Sequence, residues 1–111
     1  MSVYVTAKLI NGYIITTEQM TAAQYKFDKD GFDLIDYLYD QELLTIVNAY
    51  SEDSDYVLGY TIDKVDEGTA KYISNCLFDY DQLIKVKKAY NKYFNGGNRN
   101  DPNIIICNSL Y

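Results

Sequence analysis

Apolar and polar residues alternate at the start of the chain, with Val3, Val5, Ala7 and Leu9 on one side and Tyr4, Thr6 and Lys8 on the other. A period of two belongs to a β-strand with one buried face. Asn11-Gly12 separates this run from a second β-rich one, residues 13–17, and both residues tolerate the positive φ of a type I′ turn. The pattern therefore predicts an opening β-hairpin. The period then changes. Thr16 and Gln19 have capping-box spacing, and Met20, Ala23 and Phe27 follow at helical intervals, so a short helix is expected to end before Asp28, with Asp30-Gly31 as the break.

From Asp33 to Tyr50 the residues Ile35, Leu38, Tyr39, Leu43, Ile46, Val47 and Tyr50 keep a helical period, while Asp33, Asp36, Tyr37 and Asp40 fall on the opposite face. This predicts an amphipathic helix with an acidic stripe, capped by Asp33. Residues 51–55, SEDSD, read as a turn. Residues 56–65, YVLGYTIDKV, read as a strand, with Gly59 as a bulge or a point of close approach. A short helix is expected over Asp66 to Phe78. Asp79 and Gln82 then open a further helix, with Leu83, Val86, Tyr90 and Tyr93 on its apolar face and Asn95-Gly96-Gly97 as its stop. The run Ile104-Ile105-Ile106-Cys107 has the character of a central strand.

The resulting order is β-β-α-α-β-α-α-β in one domain spanning residues 1–111. The fold class is α+β, with helices packed on one face of a mostly antiparallel or mixed four-stranded sheet.

Charge narrows the partners. Sixteen acids against ten bases leave a net charge of -6, and the field of such a chain repels nucleic acid and anionic membrane, so the expected partner is a basic protein. The distribution is uneven: residues 28–67 hold twelve acids and two bases, a balance of -10, whereas residues 85–99 hold five bases and no acid. Lys85, Lys88 and Lys92 recur at helical spacing. The two regions could meet within one molecule, meet between two copies as a homodimer, or leave the acidic part for a basic partner. No basic segment followed by a long apolar one opens the chain, no apolar run is long enough to span a bilayer, and Cys76 and Cys107 lie in apolar context. These features fit a soluble, cytoplasmic protein with buried reduced thiols.

Catalytic signatures are missing. The chain has no histidine, which removes the usual general base and nucleophilic triads, and FNGGN at residues 94–98 lacks the Gly-Lys-Ser/Thr of a phosphate loop. A calcium loop starting at Asp28 would have Asp30 at its third position but Phe32, Asp33 and Tyr39 at its fifth, sixth and twelfth, where a ligand, a glycine and a glutamate are required. No cofactor is expected. An enzyme or an irregular metal site on Asp28, Asp30 and Asp33 is the weakest of the readings, since Asp-Lys-Asp-Gly is also ordinary turn and N-cap chemistry.

Tyrosine points to binding. Thirteen of 111 residues are Tyr and none is Trp, and Tyr supplies contact area at low entropic cost with a polar tip. The expected partner-binding residues are Asp33, Asp36, Tyr37, Asp40, Glu52, Asp53, Asp55 and Tyr56. Carboxylates at one-turn intervals stand about 5 to 6 Å apart, comparable to the phosphate repeat of a nucleic-acid strand. In general character, though through no shared motif, the chain resembles the small acidic inhibitors that phages and mobile elements direct against CRISPR or restriction nucleases. That likeness implies an anti-defence inhibitor acting as a nucleic-acid mimic in the host cytoplasm. The alternative is an immunity protein or antitoxin that masks a basic toxin by the same electrostatics.

Overall fold

The computed structural model describes residues 5–27, 33–51, 53–73, 79–94 and 101–110. Among them the order is β1 (Val5–Ile15), α1 (Thr17–Phe27), α2 (Leu34–Asp40), β2 (Leu44–Ile46), β3 (Tyr56–Asp66), α3 (Tyr80–Tyr93) and β4 (Asn103–Leu110). The class is α+β, and the four strands form one antiparallel sheet in the order β2-β3-β1-β4.

The opening hairpin is replaced by one long strand. Asn11 and Gly12 lie in mid-strand, where β1 pairs with β3 on one side and with β4 on the other. Local turn chemistry is outweighed here by two ladders of hydrogen bonds. Gly12 is needed for a different reason: it faces Gly59 across the sheet, and a Cβ on Gly12 would stand 1.8 Å from the Leu58 carbonyl oxygen. Gly59 has φ of +155°, and a Cβ there would meet the Asn11 carbonyl oxygen at 2.6 Å. This is the close approach expected at Gly59. The register shifts between Leu9 and Ile10, which leaves Ile62 as the extra residue of a bulge in β3.

The helix expected over residues 33–50 stops after seven residues. Leu43 to Val47 carry a β-propensity run that continues the helical spacing by coincidence, and the chain turns at Gln41 and Glu42 to enter β2. The helix expected from Asp66 is also absent over its described part: Asp66 closes β3, and residues 67–73 run on as a turn and irregular chain tied back by a Lys71–Asp63 ion pair. Residues 74–78 of that expectation lie outside the described residues. β4 is an edge strand, not a central one, because β1 takes the centre.

The predicted starts of the helices hold. Thr16 Oγ1 accepts from the Gln19 amide at 3.1 Å while Gln19 Oε1 accepts from the Thr16 amide at 2.9 Å, a complete capping box. Asp33 caps α2 by accepting from the Asp36 amide, and Asp79 caps α3 by accepting from the amides of Asp81 and Gln82. Each cap satisfies orphan N–H groups and contributes about 1 kcal/mol.

All three helices lie on one face of the sheet. There Tyr13 and Ile15 of β1 and Leu58 of β3 meet Met20, Leu34, Leu38, Val86 and Tyr90 in one cluster. Ile15, Leu34, Leu38 and Leu58 are wholly buried, and each stabilises the fold by about 1.5 to 3 kcal/mol. Ile10 and Val57 are buried as well, on the opposite face. The sheet curls that face inward until its edges meet at one corner, where Asn48 bridges Leu110 and Ser109 Oγ donates to the Ile46 carbonyl at 3.1 Å.

Candidate functional site

Helix α2 turns Leu34 and Leu38 into the core, so Asp33, Asp36, Tyr37, Tyr39 and Asp40 are left exposed. The acidic stripe read from the sequence is therefore a real surface feature, although the apolar stripe is centred on Leu34 and Leu38, with Ile35 partly buried against the core and Tyr39 outside it. Tyr39 is 59% exposed, and its assignment to the core was an error of helical phase. Asp33, Asp36 and Asp40 form no ion pair among the described residues. Tyr37 sets its ring edge-on to Tyr93 of α3, with centroids 6.4 Å apart, and Phe27 of α1 meets Tyr93 in the same manner at 5.1 Å. The stripe is thus held on a small aromatic junction of three helices.

The remaining expected residues separate. Asp53 and Asp55 are exposed on the loop between β2 and β3, which is fastened by Ser54 Oγ accepting from the Asn48 amide at 2.7 Å and by Thr17 Oγ1 donating to the Ser54 carbonyl at 2.9 Å. Glu52 lies outside the described residues, as do Asp28 and Asp30. Tyr56 is half-buried at the start of β3 and packs against the core, so it contributes more to the fold than to the surface.

Two hollows flank α2. Asp36 and Tyr39 border a groove of about 270 Å³ with Ala49, Ser109 and Leu110. Tyr39, Asp40 and Glu42 border a wider one of about 750 Å³, whose opposite wall is Tyr60 to Lys64 of β3. Lys8 reaches both, and nothing in the alternation of β1 marked it as more than a solvated strand residue. The wider groove mixes Asp40, Glu42 and Asp63 with Lys8 and Lys64, a polar lining suited to exchange of hydrogen bonds and charge with a partner surface.

On the same face of the sheet α3 exposes Lys85, Lys88 and Lys92, none in an ion pair among the described residues, while Lys87 pairs with Asp101 at 2.8 Å. Acidic and basic helices therefore do not neutralise each other by direct ion pairs within the described chain. Cys107 is half-buried in β4, and burial raises its thiol pKa, with Lys8 pulling the other way; Cys76 lies outside the described residues. Among the described residues no group of three acidic, Cys or His side chains converges as a metal site, and no helix is long and apolar enough to cross a membrane. No known protein family, curated protein or solved structure matches the chain.

Proposed function

We propose that this chain is a stoichiometric protein-binding inhibitor whose target is a basic, nucleic-acid-processing enzyme of a host defence system, engaged through the acidic, Tyr-bearing surface of α2. The observation that carries the reading is the pairing of three carboxylates with no ion pair among the described residues, Asp33, Asp36 and Asp40, with exposed Tyr37 and Tyr39 on one short helix and its N-cap. Tyrosines supply the contact area, and the carboxylates steer a basic partner and set its register. Asp53 and Asp55 extend the acidic character along the β2–β3 loop. An immunity protein masking a basic toxin would use the same surface, and the identity of the captured partner separates the two.

The test is a pull-down from host lysate with wild type beside the double reversal Asp36→Lys/Asp40→Lys, followed by a nuclease assay on what is captured. Wild type is expected to retain a basic nucleic-acid enzyme and to inhibit it at equal stoichiometry. The reversal should lose most of that capture, and its residual affinity should depend less on salt. Both positions are exposed, so stability should move by only about 0.5 kcal/mol. Equal capture by both proteins would show that the acidic face is only solvated surface.

A further inference from the structure

Asn11 has the turn chemistry of the opening pattern, yet it occupies the middle of the central strand beneath the first turns of α3. It is 8% exposed, and its Oδ1 meets no hydrogen-bond donor among the described residues, where it is the one buried side-chain nitrogen or oxygen so placed. Buried acceptors lose their hydration on folding and regain it only through a partner. Asn11 lines a hollow of about 20 Å³, closed by Tyr60 and Ile62 of β3 and by Asp79, Gln82, Leu83 and Val86 at the start of α3.

We propose that this hollow binds a single water molecule, which donates one hydrogen to Asn11 Oδ1 and completes its bonding with the polar side chains around it, tying the central strand to α3. Size and polarity select water over larger groups. One water position needs roughly 10–15 Å³, so the hollow holds one and excludes a guanidinium or a carboxylate. The orphan atom is an acceptor, so its ligand must donate. An ammonium has a similar size and the Asp79 carboxylate would attract it, so the test must leave ammonium out. Water also needs further polar neighbours, and Asp79, Gln82 and Tyr60 border the same space. Asp79 already accepts from two backbone amides, which fixes it in place beside the hollow.

A crystal structure grown without ammonium salts tests this directly. The expected result is a solvent peak about 2.7–3.2 Å from Asn11 Oδ1, retained in Gln82→Ala and lost in Asn11→Leu, which has the same number of side-chain heavy atoms. In solution, the Leu83 and Val86 methyl groups should show Overhauser cross-peaks to a slowly exchanging water. That measurement needs only the wild-type protein, so it decides the matter even if Asn11→Leu fails to fold. A hollow without density, missing cross-peaks, or a protein donor bonded to Oδ1 would overturn the proposal.

Discussion

Tyr13 shows how one side chain can tie stability to pH. Its ring lies parallel to that of Tyr90, with centroids 3.8 Å apart and 9° between planes, and the residue is buried between β1 and α3. Burial is the main cause that lifts the phenol above its ordinary value of 10.0; Asp101 and Tyr90 add to the rise and Lys87 opposes it. The folded chain therefore holds this proton more tightly than the unfolded one. The associated stability is complete below the unfolded pKa and is lost as pH climbs through the folded pKa. Cys107, raised from 9.0 by burial, acts in the same direction. Urea midpoints should stay level below the ordinary thiol value of 9.0 and fall as pH rises past the ordinary phenol value of 10.0, and Tyr13→Phe should fall less steeply than wild type. Parallel declines in the two proteins would show that Tyr13 ionises without penalty in the fold.

At the scale of elements, α2 ends against local preference. Glu42 takes φ of 60°, the left-handed conformation usually given to glycine at this position. The Glu42 amide donates to the Tyr39 carbonyl and the Leu43 amide to the Leu38 carbonyl, both at 3.0 Å, which is the Schellman arrangement, and Leu43 and Leu38 are buried in the same core cluster. Asp40 and Glu42 also place negative charge at the negative end of the helix, with no basic residue in its last turn. Glu42→Gly should therefore raise the unfolding free energy by about 0.5 to 1 kcal/mol, read as a higher urea midpoint at unchanged slope. A lower midpoint would mean that the Glu42 side chain has a stabilising partner. The same helix shows what could be read in advance. Its cap at Asp33, like those at Thr16 and Asp79, depends on residues within three positions and was legible in the sequence. Its end was not, because no glycine marks the turn and the spacing of Leu43, Ile46 and Val47 fits a helix as well as a strand. Asn11-Gly12 misled for a related reason: turn chemistry is local, whereas pairing with residues 59–60 and 103–104 is not. The exposure of the α2 stripe was legible because helical period places it, while its relation to Asp53 and Asp55 depends on tertiary packing that spacing does not encode.

For the whole molecule the open question is whether the acidic and basic regions serve each other. Asp33, Asp36 and Asp40 at α2 and Lys85, Lys88 and Lys92 of α3 enter no ion pair among the described residues, which leaves these charges to solvent, to a second copy or to another partner. Contact between copies would join α2 of one molecule to α3 of the next. Formed reciprocally about a two-fold axis it would close as a dimer, but it would have to order long exposed side chains for ion pairs that salt screens. It would also work against a net charge of -6, which makes two copies repel at long range. The Tyr37–Tyr93 contact adds a steric restraint, since it holds the middle of the acidic helix beside the C-terminal end of the basic one. We therefore expect the chain to sediment as a 12.8 kDa monomer at both low and physiological ionic strength. Analytical ultracentrifugation across that range checks it, because exposed ion pairs strengthen as the Debye length grows from about 8 Å at physiological salt to about 30 Å at 0.01 M. A species of twice the mass that dissociates on adding salt, and that vanishes in Asp36→Lys/Asp40→Lys, would assign the acidic face to self-association and remove the external partner. A monomer throughout leaves α2 available for a basic target, and the capture experiment then reads that interface without competition from the chain itself.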